Sequence, residues 1–426
     1  MKEVFLQYIW QNQLYDKQHL QTECGQPLEV INPGYWNYES GPDFLQAQIK
    51  IGDLVWFGAV EIHVDARDWN HHRHQRDPAY NNVVLHVAWH KNIPLSRQDG
   101  TNLPILLLHT RVSLQLVDQY RTLLPVEKQQ KKLSCANFLD AVPTIYKASA
   151  LEKAATERLI RKSKEIGQLF MENSNNWHQT ALQCISRAFG FKVNAAPFST
   201  LGSKIPYHTL AKESYRFESV LALLLGVSGL VHQEDFSSEI QKLSQHLINK
   251  YKLQVNAMQA HEFRKSRVRP ANLPRVRIFQ LAAFLFTVPK LLDYLVYTSK
   301  LGTFYTPFEK VNHLINQQRG DVGQISNLGK SSAESIIINA ITPFQFAYAK
   351  HISDEVLQEK AREIWQSLPV ENHRYTRLYK SYGFEMASSM DSQAAIEQHR
   401  FYCSAAGCLQ CPIGNHIMKN HQLVVI

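Results

Sequence analysis

The spacing of apolar side chains changes along the chain, and the first hundred residues show the short alternation that is typical of strands. An amphipathic helix is predicted over residues 1–15, where apolar positions are mixed with Glu3 and several glutamines. Gly52 and Asp53 predict a tight turn between two strands. The predicted strands are residues 27–33, 44–51, 54–64, 83–89 and 103–109. Residues 68–82 are polar and predict a loop with a short helix.

From about residue 112 the apolar residues recur every three or four positions, which predicts helices. Residues 151–170 and 177–189 are the clearest examples, and similar segments follow. Prolines mark the predicted helix ends. The sequence therefore predicts an α/β domain over residues 1–111 and a larger all-α domain over residues 112–426.

Composition and charge narrow the class of protein. With 44% apolar and 19% charged residues among 426, the chain is expected to be globular and not disordered. The apolar runs 220–231 and 278–296 are too short or too interrupted to span a bilayer, so they predict core helices. No amino-terminal signal is recognisable, and we expect a cytoplasmic protein without a membrane partner. The net charge of +9 is compatible with an anionic partner.

Candidate chemistry is concentrated around Asp43, in the segment GPDF, and around Glu61 and His63, in the segment VEIH. Glu61 and His63 are two residues apart in a predicted strand, so they project from the same face. Carboxylate oxygens are suited to Mg²⁺ or Mn²⁺. The pattern predicts an active-site metal held by Asp43 and Glu61. The alternative is that all three residues are solvated side chains of a half-exposed strand.

Histidines are dense in the same region, with seven of the nineteen between residues 63 and 109. Imidazole-rich sites favour Zn, Mn or Fe over Mg. His72 and His74 lie in the predicted loop as possible neighbours of the active site. His86 lies in an apolar strand, where it is either a buried histidine or a further neighbour of Glu61.

A cysteine cluster near the carboxyl end is the second strong signal, because Cys403, Cys408 and Cys411 lie within nine residues. Three thiolates at this spacing can bind one zinc ion or an iron-sulfur cluster. The expected fourth ligand is Cys135, with His416 as the alternative. A site with Cys135 would tie the end of the chain to the junction of the two predicted domains. Cys24 and Cys184 are predicted to be packing residues.

A basic tract covers residues 264–277 and contains six cationic residues and no acid. Such a tract can neutralise phosphates of a nucleic acid, or it can be a solvated helix entry. Its cations are Arg264, Lys265, Arg267, Arg269, Arg275 and Arg277.

Several motifs together resemble a family of uncharacterised bacterial proteins that is known only as a domain of unknown function, over nearly the whole chain. They are GPDF, the segment 56–63 (WFGAVEIH), Asp68-Trp69-x-x-His72-x-His74, the segment 80–87 (YNNVVLHV), the segment 269–274 (RPANLP) and the final cysteines. Residues 1–110 also resemble the PD-(D/E)XK nuclease fold through Asp43, Glu61 and the order of elements.

The nuclease resemblance implies that Asp43 and Glu61 bind the metal and that Glu3 is an outer ligand, although a solvated helix glutamate is the commoner explanation for Glu3. His63 stands where that superfamily has lysine, so it would orient or deprotonate a water molecule or bind a metal. Some nucleases of the superfamily hold an iron-sulfur cluster through one upstream cysteine and three near the carboxyl end, which the four cysteines resemble with a different spacing.

The expected activity is metal-dependent hydrolysis of a phosphodiester in DNA or RNA. One alternative is a nucleic-acid-binding or scaffold protein whose site has lost activity. A second is a histidine-rich metallohydrolase that acts on a small substrate. Strand type, base preference and oligomeric state are not determined by the sequence.

Overall fold

The sheet predicted for the amino-terminal part is present in the computed structural model, which describes residues 1–37, 39–90, 93–124, 132–232, 236–317 and 325–420. The strands follow the order β1-β3-β4-β5-β6, and β2 pairs with β3. Pairing is antiparallel from β1 to β4 and parallel from β4 through β5 to β6. The strands are β1 Leu28–Asn32, β2 Tyr35–Trp36, β3 Phe44–Ile51, β4 Leu54–Asp65, β5 Val83–His90 and β6 Ile105–Leu107. The five predicted strands are confirmed, whereas β2 was not predicted because two residues are too few to show an alternation.

The register of β3 and β4 is irregular beside the candidate site. Phe44 pairs with Val60 and Ala47 pairs with Gly58, so two residues of β3 stand opposite one residue of β4. Gln46, inside this bulge, has a φ of 58°. A bulge bends the strand and changes the direction of the side chains beside it. The bulge lies between Asp43 and the regularly paired part of the β3–β4 hairpin.

Gly58 is required because β4 lies very close to Asn82 and Val84 at this position. A Cβ atom on Gly58 would lie 2.3 Å from the carbonyl oxygen of Asn82 and 2.5 Å from Cγ1 of Val84. Both distances are shorter than a carbon can tolerate, so a larger residue would push β4 away from β5. The position of Glu61, three residues later, depends on this contact.

Helices make up most of the rest of the described chain. The α-helices are α1 Glu3–Gln11, α2 Asp68–His71, α3 Leu114–Leu123, α4 Thr144–Glu172, α5 Trp177–Phe189, α6 Phe191–Lys204, α7 Tyr207–Glu213, α8 Phe217–Ser228, α9 Ser238–Lys250, α10 Pro274–Thr287, α11 Leu291–Tyr297, α12 Leu301–Gln317, α13 Lys330–Ile336, α14 Thr342–His351, α15 Glu355–Ser367, α16 Arg374–Lys380, α17 Ser389–Gln398 and α18 Pro412–Lys419. Short 3₁₀ turns are His74–Arg76, Pro78–Tyr80, Ala136–Ala141, Gln254–Asn256, Ala260–Glu262, Pro270–Asn272 and Cys408–Gln410, and π turns are Ile337–Ile341 and His399–Cys403.

The chain divides into two compact units, and the division differs from the predicted boundary after residue 111. Unit 1 contains Met1–Ala150 and the segment that starts at His399, and unit 2 is Leu151–Gln398. Residues after 111 belong to unit 1 because α3 packs against other elements of that unit, α1 and α18. The ring of Tyr120 on α3 stacks on Phe5 of α1 with centroids 4.0 Å apart. Helical periodicity alone did not reveal this packing.

The core of unit 1 lies on both sides of β4 and β5. Trp69 and its neighbours form one buried cluster on the side of the α2 loop, and α1 covers another part with buried Phe5 and Trp10. The first cluster contains Ala59, Ala66, Trp69, Val83, Ala88, Leu95, Leu103 and Ile105. Because α1 and the loop after β4 are both fixed by apolar packing, the polar residues they carry are held in defined positions.

Unit 2 is formed by helices whose apolar faces are buried. α8 and α10 are buried along most of their length, as expected for the apolar runs that the sequence contains. Glu397 on α17 accepts from Arg161 Nη2 at 2.7 Å and from Arg158 Nη1 at 3.2 Å. In the described residues no individual helix meets the length and apolarity needed to cross a membrane, and the pair α10 and α11, bent by 83°, meets them together.

A candidate metal site of carboxylates and histidines

The acidic half of the site is built where α1, the start of β3 and the middle of β4 meet. Gly41 has a φ of 101°, a conformation that favours glycine, and it turns the chain into β3. The Asn37 side-chain amide donates to the carbonyl of Pro42 at 3.0 Å, and the Asn37 N–H donates to the carbonyl of Asp43 at 2.7 Å. The segment GPDF therefore places Asp43 in a fixed turn.

Asp43 and Glu61 are joined by hydrogen bonds to each other's backbone. The N–H of Asp43 donates to Glu61 Oε2 at 3.0 Å, and the N–H of Ile62 donates to Asp43 Oδ2 at 3.0 Å. Gln7 of α1 donates from Nε2 to Asp43 Oδ1 at 2.8 Å, and the same amide is 3.5 Å from Glu3 Oε1. Gln7 thus contacts two of the three carboxyls, and Glu61 is joined to Asp43 through the backbone.

The pKa of each of these carboxyls is raised. Burial and the neighbouring charge of Asp43 raise the pKa of Glu61 to about 9, and burial and the same neighbour raise the pKa of Glu3 to about 7. Burial raises the pKa of Asp43 to about 6, although hydrogen bonds from Gln7 and Ile62 oppose the shift. Buried acids that repel one another are stabilised by a cation, so this donor set fits a divalent metal.

The basic half consists of histidines from β4, β5 and the loop between them. His63 Nε2 is 3.1 Å from His72 Nδ1, and His63 Nδ1 is 2.8 Å from His86 Nε2. Ligand atoms of His63, His72 and His74 all lie within 4.8 Å of one another. Glu61 connects the two halves, since its Oε1 lies 3.4 Å from His74 Nε2 and 3.6 Å from His63 Nε2.

Burial keeps the imidazoles of His63, His74 and His86 neutral. It lowers the pKa of His63 to about 3 and that of His74 to about 4, and neighbouring histidines add to both shifts. The pKa of His86 is also lowered well below its usual value, first by burial. A neutral imidazole has a free lone pair, so these side chains can accept a proton or bind a metal.

Aromatic rings enclose the histidines. The ring of Tyr80 lies on His74 with centroids 3.8 Å apart, and the buried ring of Trp69 contacts His74 and His86 edge-on at 5.4 Å and 5.7 Å. His74 Nε2 and His86 Nδ1 are buried and have no hydrogen-bond partner among the described residues. A buried polar atom without a partner is destabilising, and at His74 the atom points toward Glu61.

The structure therefore brings together every residue that the sequence predicted for this site. Asp43, Glu61 and His63 lie side by side, with Glu3, His72, His74 and His86 as neighbours, and Glu3 is half-buried. Gln7, Trp69 and Tyr80 were not predicted as parts of the site. For Gln7 a signal was present, because it is four residues after Glu3 and so lies on the same face of α1. No comparable spacing in the sequence indicated that Trp69 and Tyr80 belong to the site.

The four cysteines expected to bind the second metal are all in unit 1. Burial, followed by the neighbouring thiols of Cys403, Cys411 and Cys408, raises the pKa of Cys135 far above its usual value. Burial and two of the same neighbours raise the pKa of Cys408 to about 12. Because each thiol affects the others, Cys135 lies in the same group as the carboxyl-terminal three. Cys411 is buried and the other three cysteines are half-buried. Thiols that are costly to ionise without a cation fit a zinc ion or an iron-sulfur cluster.

The other cysteines and His416 have different surroundings. The ring of His416 packs on Tyr146 at 3.9 Å, and its Nδ1 is 3.0 Å from the Asn420 amide. Cys184 is buried, as expected for a packing residue. The expectation for Cys24 was wrong, because this thiol is exposed and lies 3.2 Å from Glu23 Oε1. Its segment lies beside β6, where the N–H of Glu23 donates to the carbonyl of Ile105 at 2.9 Å.

The basic tract lies in unit 2 and contains both exposed and buried cations. Arg264, Arg267 and Arg269 are exposed, and Lys265 and Arg275 are half-buried. Arg277 is buried, where its guanidinium donates to Asn272 and to Gln280 and lies 3.9 Å from the centre of the Phe191 ring. Arg277 is therefore bound within the fold, so the tract presents fewer cations than its composition indicates.

Comparison with known proteins gives a family and no function. The family model described as "Protein of unknown function (DUF2851)" matches residues 3–374. No curated protein and no solved structure matches the chain.

Proposed function

Since the chain belongs to this family of unknown function, the site is the basis for assigning an activity, and we propose metal-dependent hydrolysis of phosphodiester bonds in nucleic acid. The observation that carries the proposal is that Glu3 and Asp43 share the Gln7 amide and that Glu61 is hydrogen-bonded to Asp43, with the pKa of each acid raised by burial. The bases beside Glu61 are the neutral imidazoles of His63 and His74, so the charge of these acids is left for a divalent cation to balance.

Asp43 and Glu61 would hold the ion, and Glu3 would contribute from the far side of Gln7. A divalent ion there would supply Lewis-acid stabilisation of phosphate charge and would make a nearby water more acidic. In the reaction the water oxygen bonds to phosphorus, the P–O bond to the leaving oxygen breaks, and the water's proton passes to a base or to solvent. The leaving oxygen takes up a proton in turn.

The chain's own groups have separate roles in this proposal. Gln7 orients one oxygen of Asp43, and the N–H of Ile62 orients the other. His63 supplies a neutral imidazole at the position where PD-(D/E)XK nucleases have lysine, so it can take a proton or bind a cation but does not supply a fixed positive charge.

A nucleic-acid substrate is favoured by exposed apolar side chains on the strands that carry the acids. Phe57 is 74% exposed, and it precedes Glu61 by four residues, which is about 13 Å along a strand. Tyr35 on β2 is 68% exposed. Aromatic faces of this kind can stack on the bases of a single strand. Other exposed apolar residues of β1, β3 and β4 are Ile31, Leu45, Leu54, Val55 and Trp56, which are divided between the two faces of the sheet.

The test is cleavage of single- and double-stranded DNA and RNA with Mg²⁺ or Mn²⁺, with the binding of Mn²⁺ measured on the same samples. We expect Asp43→Asn and Glu61→Gln to lose both cleavage and Mn²⁺ binding. Asp53→Asn, which changes an exposed acid in the turn between β3 and β4, is the matched control and should keep both.

Two results would overturn the proposal. Cleavage that persists in both variants would show that another site or a contaminant is responsible. Binding of nucleic acid without cleavage under any metal would favour the alternative of a binding or scaffold protein.

A further inference from the structure

We propose that His63, His72 and His74 form a second metal site, selective for a borderline transition ion such as Zn²⁺, directly beside the carboxylate site. The ligand atoms of these three imidazoles lie within 4.8 Å of one another. Bound to one zinc ion, imidazole nitrogens lie about 2.0–2.1 Å from the metal. Nitrogens bound to one ion would lie closer together than 4.8 Å, so the imidazoles would turn toward the ion.

A buried atom without a partner points to a missing ligand. His74 Nε2 is buried and makes no hydrogen bond, although Glu61 Oε1 is 3.4 Å away. A cation bound by this nitrogen would satisfy it. Tyr80 and Trp69 hold the imidazole of His74 in place through ring contacts at 3.8 Å and 5.4 Å.

The surroundings of His63 fit the pattern seen around metal-bound histidines. A ligating imidazole usually engages its second ring nitrogen in a hydrogen bond, which fixes its tautomer and orientation. His63 directs Nε2 to the proposed site and Nδ1 to His86 Nε2 at 2.8 Å. If Nδ1 carries the proton, it donates to His86 and leaves the Nε2 lone pair free for a metal. His86 would then be a positioning residue.

The two oxygens of Glu61 face in different directions. Oε2 accepts from the N–H of Asp43, on the acidic side, and Oε1 faces His63 and His74. This inference rests on the proposed function in one respect, namely that the acids hold the first ion. Glu61 would then lie between a hard ion on the carboxylates and a borderline ion on the imidazoles, an arrangement that two-metal hydrolases use to act on both sides of a phosphate.

An exposed ligand gives the ion a path into the site. His72 is exposed, whereas His63 is 1% exposed. His71, which precedes His72 in the chain, is also exposed. Nδ1 of His71 lies 3.1 Å from Asp68 Oδ1. The pair therefore offers a matched comparison, in which two adjacent exposed histidines differ in whether they face His63.

The experiment titrates Co²⁺ and Zn²⁺ into the metal-stripped full-length protein and follows Co²⁺ by its visible absorption and Zn²⁺ by elemental analysis after desalting. We expect His72→Ala and His74→Ala to bind one equivalent fewer than wild type, with an affinity at this site lowered at least about 100-fold. His71→Ala should bind as wild type does. The cysteine cluster is unchanged in all variants, so its contribution cancels.

Asp43→Asn separates this inference from the proposed function. If both are correct, Asp43→Asn loses Mn²⁺ binding and cleavage but retains Co²⁺ at the histidines. Co²⁺ binding without any cleavage in wild type would overturn the proposed function alone. Co²⁺ and Zn²⁺ stoichiometry in His72→Ala and His74→Ala equal to that of wild type would overturn the histidine site, and the imidazoles would then be a hydrogen-bonded cluster.

Discussion

The N–H of Asp43 donates a 3.0 Å hydrogen bond to the carboxylate of Glu61, and the strand that carries Glu61 returns one to Asp43 through the N–H of Ile62. The two acids are therefore oriented by backbone N–H groups, and Gln7 adds a side-chain hydrogen bond to Asp43. Because β3 and β4 are paired, the separation of the carboxyls is fixed by the sheet. A site of this kind is preorganised for its ligand.

Gln7 is expected to be a positioning residue for Asp43. Gln7→Leu removes the 2.8 Å hydrogen bond to Asp43 Oδ1 while it keeps the volume of a side chain that is only 9% exposed. We expect Mn²⁺ affinity to fall about 10-fold or more, as is typical when a partner of a metal ligand is lost. Calorimetric titration of Mn²⁺ checks this. Gln11→Leu, at the exposed end of α1, is the control, and equal affinities in the two variants would contradict the role of Gln7.

Stability of the metal-free protein should depend on pH through Glu61. Its pKa is raised from 4.5 to about 9, so the folded state favours the neutral carboxyl. That contribution to stability is complete below pH 4.5 and is lost as the pH rises through about 9. Glu61→Gln keeps a neutral side chain at every pH, and we expect it to exceed wild type in free energy of unfolding by at least about 2 kcal/mol at pH 9.

The measurement is urea unfolding of both proteins from pH 5 to pH 9 in the presence of a chelator. The lowered pKa values of His63 and His74 act in the opposite direction, since their contribution is lost as the pH falls below 6.5. Both proteins carry these histidines, so the effect cancels in the difference. A difference between wild type and Glu61→Gln that is constant over this range would show that Glu61 is ionised in the folded state.

The cysteine cluster should hold metal in the purified protein. We expect anaerobically prepared wild type to contain zinc, or iron with the visible absorption of an iron-sulfur cluster, and Cys135→Ser to lose it. Loss of the metal should lower the thermal stability, because the bound cluster links Cys135 to Cys403 and so closes a long loop of the chain. Cys24→Ser, which changes an exposed thiol, is the control. If His416→Ala loses the metal and Cys135→Ser retains it, histidine is the fourth ligand.

Exposed aromatic side chains beside the acids should contribute to binding of single strands. Tyr35→Ala and Phe57→Ala are each expected to weaken binding of a single-stranded oligonucleotide by about 1–3 kcal/mol, the range for loss of one base stack. Fluorescence anisotropy measures this change. Tyr215→Ala is a suitable control, since Tyr215 is 72% exposed and lies in unit 2. Unchanged affinity in both sheet variants would remove the main support for a single-stranded substrate.

The basic tract should separate into binding and structural arginines. Arg267→Ala is expected to reduce the salt dependence of nucleic-acid affinity by about one phosphate contact without loss of stability. Arg277→Ala should destabilise the protein by about 1–3 kcal/mol, because half-buried Asn272 and buried Gln280 each lose a hydrogen bond from the guanidinium. Salt titrations and urea unfolding of the two variants are the measurements. Equal stability of the two variants would contradict the structural role of Arg277.

The local elements were determined by the sequence. Alternation of apolar residues predicted β3 over Phe44–Ile51 and nearly all of β4, and helical periodicity predicted α5 over Trp177–Phe189. The spacing of Glu61 and His63 was enough to place both on one side of β4. The clustering of cysteines in the sequence likewise predicted a common site. Each of these inferences depends on contacts between residues close in the chain, which a periodic pattern records.

Only the tertiary structure decided which distant residues meet. Gln7 reaches Asp43 because α1 packs on the sheet, and His74 faces Glu61 because Trp69 and Tyr80 anchor the loop after β4. Residues 112–150 belong to unit 1 because α3 packs against α1 and α18, although their periodicity resembles that of unit 2. Apolar packing selects such contacts by shape and buried area. A one-dimensional pattern does not carry that information.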